Sequence, residues 1–305
     1  MRVLITGATG LIGSEIVKQC HDNNISVSYL TTSASKLSNK DNYRGFLWNP
    51  NTEEIDVSCL QDVDAIIHLV GASISKRWTS KQKQIIIDSR VKTTALLHKT
   101  LANNTHTVTQ VVSASAIGIY PDSLTNYYTE DEKNVSTSFL GKVVSLWENA
   151  VDNFSSLGIT VSKVRIGLVL SNDGGAFPEL KKPIKYGFGA NMGSGEQWNS
   201  WIHIQDLARI FIYVTQFKLE GVYNGVAPNS KTNAEITKAI ANQLDAPLFL
   251  PNIPKFVMKV VLGDMHILLF ESQRVCSKKI ENKGFHFKYH NLNAALHELL
   301  QSPQQ

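Results

Sequence analysis

The chain has 305 residues, of which 43% are hydrophobic and 18% charged, and a formal net charge of +4. That is enough apolar material for one large α/β core with a smaller lobe attached, and it excludes a disordered chain. Acidic and basic residues are interspersed, which excludes a basic nucleic-acid-binding face and leaves a mild bias suited to a phosphate-bearing ligand.

Met1-Arg2 leads straight into the apolar run Val3-Leu4-Ile5, which ends at Gly7 and reads as a buried parallel strand rather than a secretory segment. Residues 14–22 carry apolar side chains at helical spacing, and 25–31 form a second strand. Tyr43 to Trp48 is a third strand, and Ala65 to Val70, closed by Gly71, is a fourth. A helix is predicted over roughly 80–102, a strand over Val108 to Ser113, a helix over Phe139 to Phe154 and one strand over Thr160 to Leu170. Such alternation predicts a doubly wound parallel sheet with helices on both faces.

After residue 171 glycines become frequent, tryptophans stand at 198 and 201, and Pro247, Pro251 and Pro254 punctuate a loop. The reading is a dinucleotide-binding core over 1–170, then a region over 171–305 that completes the core, through elements such as Asp206 to Thr215, and builds a smaller lobe. The apolar stretch Phe256 to Phe270 is interrupted by Lys259, Asp264 and His266, and is too short and too charged to span a bilayer. Cys20, Cys59 and Cys276 are odd in number and far apart, which argues against disulfides or a thiolate metal site. His286 and His290 share one face of a strand-like segment but lack a third ligand, so no metal is expected. A soluble cytoplasmic protein follows, without nucleic-acid or membrane partners, either monomer or homodimer.

The strongest chemical signal is Thr6-Gly7-Ala8-Thr9-Gly10-Leu11-Ile12-Gly13, set between a strand and a helix. Gly7 allows the tight turn, Gly10 lets the backbone approach a pyrophosphate, and Gly13 lets helix and strand pack closely. The helix N-terminus then offers free N–H groups and the positive end of its dipole to phosphates. The fold this predicts is a Rossmann-like α/β sheet with a smaller C-terminal substrate lobe. The second strand ends Thr31-Thr32-Ser33, with no acid until Asp41 to grip a ribose 2′-hydroxyl. Thr32, Ser33, Ser35 and Lys36 can instead donate to a 2′-phosphate, so NADP is favoured, with NAD the alternative.

The glycine spacing is similar to that of the extended short-chain dehydrogenase/reductases. Further segments narrow the resemblance: Arg77-Trp78, Ser89-Arg90, Ser113 to Gly118, Trp147-Glu148, Arg165 to Leu170, Gly174-Gly175-Ala176, Trp201 to Leu207, Asn224 to Pro228 and Lys283-Gly284-Phe285. Together they resemble the atypical epimerase family within the NAD-dependent epimerase/dehydratase superfamily. Its subgroup of nucleoside-diphosphate-sugar epimerases has a small C-terminal domain, matched here by about residues 247–297.

The resemblance implies NADP(H) held by Gly7, Thr9, Gly10, Leu11, Ile12 and Gly13. Thr31 and Thr32 stand at the ribose-selecting position, where the family commonly has an arginine, and Ser33 follows them as a further cofactor contact. His68, Leu69, Val70 and Gly71 follow the fourth strand, and Arg90, Ser113 and Ile166 complete the expected contacts. It also implies a Ser–Tyr–Lys catalytic set with tyrosine four residues before lysine. Ser115 matches the serine, but no Y-x-x-x-K occurs anywhere; Phe139 or Leu140 stands where tyrosine is expected, and Val143 or Val144 where lysine is. Tyr120 and Lys142 remain as catalytic candidates, beside Tyr127, Tyr128 and Glu130.

His203 and Asp206 read as a structural loop-to-helix junction. Two functions stay open: an oxidoreductase or epimerase acting on a small polar substrate such as a nucleotide sugar, or a catalytically weak dinucleotide-binding regulator linked to cell division.

Overall fold

The computed structural model describes residues 1–301; the last four residues of the lobe expected over 171–305 lie outside the described residues. The apolar runs form strands β1 (Arg2–Thr6), β2 (Ser26–Thr31), β3 (Tyr43–Asn49), β4 (Ala65–His68), β5 (Gln110–Ala116) and β6 (Thr160–Ile166). Three later strands are β7 (Leu168–Leu170), β8 (Trp201–His203) and β9 (Gly221–Gly225). The sheet order is β9-β6-β5-β4-β1-β2-β3, all parallel. Two short segments, Asn39–Lys40 and Glu54–Ile55, add antiparallel edges to β3.

Strand order therefore reverses at β1, whose neighbours are β2 and β4. In such sheets the crevice at the carboxyl ends of these strands is where ligands bind. Val3, Leu4, Ile5, Ile66, Ile67, Val111 and Val112 are buried, because strands covered on both faces have no polar side to show.

The long helices are α1 (Leu11–Asp22), α2 (Ser80–Asn103), α3 (Phe139–Asp152), α4 (Ala176–Lys185), α5 (Ile204–Gln216), α6 (Asn233–Gln243), α7 (Lys255–Leu262) and α8 (Leu292–Gln301). α1 packs with α5 and α2 with α3, as right-handed crossovers to either side of β1 require. α2 starts at Thr79, whose hydroxyl accepts from the Gln82 N–H at 3.1 Å, and α3 starts at Ser138, which accepts from Gly141 at 3.3 Å. A second core joins α4, α6 and α8 through Phe177, Ile184, Ile236, Ile240, Leu296 and Leu299.

Two expectations are corrected. The strand foreseen over Thr160 to Leu170 breaks at Gly167: β6 stays in the main sheet, whereas β7 pairs with β8. A side chain at Gly167 would overlap the Ser200 carbonyl, so the chain can change partners only at a glycine. His286 and His290 lie in a loop rather than a strand. Among the described residues no group of three or more His, Cys, Asp or Glu side chains could hold a metal ion, and no helix is long and apolar enough to cross a membrane.

Candidate functional site: the crevice at the carboxyl ends of β1, β2 and β4

Gly7 leaves β1 with φ +76°, in the left-handed region. A Cβ at Gly13 would overlap the Gly7 carbonyl, so the first turn of α1 lies directly on the turn. Helix α1 begins at Gly10 with no side-chain cap and no acidic residue in its first turn. Its leading N–H groups thus have no carboxylate competing for them and stay available to an anion.

A cavity of about 470 Å³ opens beside this turn, lined by Gly7, Thr9, Thr31, Thr32, Ser33 and Lys36 on one side and by Trp48, Pro50, Asn51 and Val70 on another. The third wall is one face of α2, made by Ile85, Asp88, Ser89, Lys92 and Thr93. Lys36 Nζ reaches Thr9 Oγ1 at 3.4 Å, and the hydroxyls of Ser33 and Ser35 lie 2.8 Å apart. Asp88 brings a negative charge into this wall, but Lys92 pairs with it at 2.9 Å. Hydroxyls and a lysine at the end of β2, with the local acid neutralised, suit an anionic group there.

The other expected contacts serve this floor in different ways. Thr31 Oγ1 accepts from the Ser33 N–H at 3.2 Å and shapes the turn after β2. His68 is fully buried and points away from the cavity: Nδ1 lies 2.8 Å from Thr6 Oγ1 and Nε2 lies 3.0 Å from Thr94 Oγ1. The Thr94 hydroxyl donates to Arg90 O at 2.7 Å and Thr6 Oγ1 accepts from the Leu69 N–H at 3.1 Å. These roles put the ring proton on Nε2, so His68 ties β1, β4 and α2 together. Burial lowers its pKa to about 4.

Leu69 and Val70 are half-buried and Gly71 is exposed at the mouth of the crevice. Arg90 packs behind Gly71 and donates to Ile86 O at 2.9 Å. Ser113 is buried and donates to the Ala114 carbonyl, and Ile166 is half-buried at the end of β6.

Ser115 and Tyr120 are brought together in a buried network. Ser115 donates to Glu148 Oε1 at 2.5 Å, and Arg165 grips both carboxylate oxygens at 2.8 and 2.9 Å. Arg165 also donates to the Tyr120 hydroxyl at 3.0 Å, which donates to Asn224 Oδ1 at 2.7 Å. Glu130 accepts from the Asn224 N–H at 2.8 Å. Burial pulls the Glu148 pKa up, but the bonds and charge of Arg165 outweigh it and hold the carboxyl below its usual range. Burial pushes the Tyr120 phenol up to about 12 despite Arg165. A phenol at that value is a poor proton exchanger near neutral pH.

Lys142 is exposed on α3. Phe139 meets Trp78 edge-on at 5.0 Å, Leu140 packs under Gly118, and Val143 and Val144 are buried. Apolar packing thus fills the positions where a tyrosine–lysine pair was sought.

His203 and Asp206 build the loop-to-helix junction at the start of α5, His203 as its N-cap and Asp206 in its first turn. His203 Nδ1 accepts from the Gln205 N–H at 3.2 Å and caps α5, while Asp206 accepts from the backbone of Lys288 and Tyr289 at 2.8 and 2.7 Å.

The sequence reading missed Trp48, Pro50, Asn51 and the α2 wall; the helical spacing 85, 88, 89, 92 was the available signal for the last. It also missed Glu271, which faces the Ser138 cap of α3. Burial raises its carboxyl pKa; Gln273 and Ser138 donate to it and oppose that rise, Asp122 adds to it, and Lys255 lowers it.

Fold and site together define a dinucleotide-binding protein of the Rossmann class. Residues 3–143 match the NAD dependent epimerase/dehydratase family, and residues 253–299 match a domain of unknown function, DUF1731. An epimerase family protein of Staphylococcus haemolyticus is 34% identical over 298 residues, 97% of this chain and 98% of its own length. The chain belongs to the epimerase family. Among solved structures, human epimerase family protein SDR39U1 (isoform 2) with NADPH is 29% identical, with TM-score 0.86 over 99% of this chain and 100% of that one. The nucleoside-diphosphate sugar epimerase of Corynebacterium glutamicum is 30% identical, with TM-score 0.78 over 98% of this chain and 58% of that one.

Proposed function

We propose that the protein binds NADP(H) and acts as an oxidoreductase or epimerase on a small polar substrate, a nucleotide sugar being the first class to test. The observation that carries the cofactor is the uncapped start of α1 beside a β2 end that offers Thr32, Ser33, Ser35 and Lys36 and no free carboxylate. The NADPH bound by human SDR39U1 and the name of the Corynebacterium relative support the two halves of this reading. Bound NADP(H) supplies hydride chemistry; the chain holds it by the Gly7–Gly13 turn and the β2 end. Proton exchange with substrate falls to Glu271, a half-buried carboxyl with a raised pKa at the cap of α3.

Fluorescence titration with NADPH and NADH tests the cofactor. NADPH binds more tightly, and Lys36→Ala weakens NADPH by roughly tenfold while leaving NADH nearly unchanged; tighter NADH binding would overturn the reading. For the reaction, Glu271→Gln abolishes turnover of whichever carbonyl compound or nucleotide sugar the wild type accepts, with NADPH affinity retained. The commitment of the Ser115 and Tyr120 hydroxyls to the Glu148–Arg165 pair favours a second reading, a dinucleotide-responsive regulator. Tight NADPH binding with no turnover of any such substrate would select it.

A further inference from the structure

The C-terminal lobe carries an apolar face that nothing covers. Helix α7 has no buried residue, although every residue in it other than Lys255 and Lys259 is apolar. Phe256 is 71% exposed and Val260, one turn on, is 78% exposed, with Val257 and Val261 exposed beside them. Only Met258 and Leu262 are half-buried, and Leu262 packs into the cluster with Trp78 and Phe139.

A second apolar stretch adjoins this helix. Ile253 bridges Met192; its N–H donates to Asn191 O at 2.8 Å and its carbonyl accepts from the Gly193 N–H at 2.9 Å. The chain before each residue runs alongside the other, and a Cβ at Gly189 would press into the Leu248 side chain. Phe188 and Phe249 stand on this pair of segments, 68% and 71% exposed, with the exposed Tyr186 at the end of α4. Contiguous apolar surface of this kind marks a contact with another body.

The charges around it have one sign. From Ala246 to Gly263 the chain carries Lys255 and Lys259 and no acid, and from Leu180 to Gly195 it carries Lys181, Lys182 and Lys185 and no acid. Asp264, which follows α7, is taken by Lys83 at 2.6 Å. Lys182, Lys185, Lys255 and Lys259 form no ion pair among the described residues. A second copy of the chain fits this poorly, because in a two-fold pair the patch meets itself and lysines face lysines. A bilayer with anionic headgroups meets both demands, with apolar depth for the rings and negative charge at the level of the lysines.

We infer that this face docks the protein on an anionic lipid surface, with α7 lying in the plane of the interface, Phe256 and Val260 in the acyl boundary and the lysine ammonium groups among the headgroups. A segment too short and too charged to span a bilayer can still lie on one, where flanking lysines strengthen the contact. The inference therefore reverses the sequence expectation of no membrane partner, which rested on spanning alone.

The full chain is centrifuged with vesicles of phosphatidylcholine and with vesicles of phosphatidylcholine mixed with phosphatidylserine, without NADPH, so the result does not depend on the cofactor reading. It sediments with the mixed vesicles and not with the neutral ones, and added salt releases it. Phe256→Ser with Val260→Ser lowers the partition at least about tenfold; Lys185→Gln and Lys259→Gln lower it about fivefold each. Val260→Trp keeps the face apolar and gains a blue shift of emission on the mixed vesicles that the wild type lacks, so the test survives if the serine variant folds poorly. No sedimentation with the mixed vesicles at low salt would leave the face to a protein partner, and equal sedimentation with both kinds would remove the charge argument; each overturns the inference. So does undiminished vesicle binding by the serine variant, and so does a dimer in sedimentation velocity that this variant disperses, which would assign the face to a second copy.

Discussion

Glu148 shows how a buried charge is made tolerable in this fold. Both oxygens are gripped by Arg165, Ser115 donates to one, and Lys163 stands 3.8 Å from the other. Removing one partner of such a pair strands the other, so Glu148→Gln costs about 3 kcal/mol in urea unfolding at pH 7; a loss near zero would show that Arg165 finds water. The folded-state pKa of Glu148 is depressed, so its stabilising contribution is present above the ordinary glutamate range and is lost as pH falls through the folded value.

His68 acts in a different window. It is neutral in both states above its ordinary value of 6.5; below that only the unfolded chain takes up the proton, until about pH 4, where the folded ring does too. Stability therefore falls between these limits by up to about 3 kcal/mol. His68→Asn flattens the decline between pH 6.5 and 4 while leaving the steeper loss at lower pH; an unchanged slope there would mean that the ring is solvated.

Among elements, the junction of β1 and α1 carries the strictest steric demand. A methyl group at Gly13 collides with the Gly7 carbonyl and the Ala8 backbone, atoms that cannot rotate away. Gly13→Ala therefore lifts α1 from the turn, lowers the melting temperature by several degrees, as a loss of about 1–2 kcal/mol does, and abolishes dinucleotide binding in the same titration. Binding retained at wild-type strength would contradict the close approach.

This junction was legible in the sequence because it is local: strand, turn and helix are adjacent and each glycine has one steric reason. The alternation that predicts a parallel sheet was legible for the same cause. What escaped depends on contacts distant in the chain. β9 is only Gly-Val-Tyr-Asn-Gly, with no apolar run to announce it, and it becomes a strand by pairing with β6. The break at Gly167 depends on Ser200, and the surroundings of His68 on Thr6 and Thr94. A motif match can align Ser115 with a catalytic serine, but only the fold reveals that its hydroxyl donates to Glu148.

At the scale of the molecule, one of the apolar seams between the C-terminal lobe and the dinucleotide-binding core lies over α2 and α3. Trp78 and Ile86 from the region of α2, Phe139, Leu140 and Val143 from α3, and Leu262, Met265, Ile267 and Leu268 from the lobe form a single cluster. Lys83 crosses the seam to pair with Asp264 at 2.6 Å, and lies 5.3 Å from the Phe139 ring centroid on its own side. The ion pair is exposed and contributes little; the seam depends on buried area, and Trp78 is its largest buried side chain, 6% exposed with its indole N–H donated to Ile74 O at 2.8 Å.

Trp78→Ala should therefore cost about 3–5 kcal/mol locally, more than the lobe gains from Lys83 and Asp264. The sheet keeps its own core, so the loss is expected as a loosened lobe rather than global unfolding. Hydrogen exchange checks this: amides over 254–270 lose protection in the variant while β1, β4 and β5 retain theirs. Uniform loss would mean that lobe and core unfold as one unit. Selective loss would identify the seam as the joint over which the lobe opens. The residues filling the tyrosine and lysine positions of α3 would then form the lobe's seat.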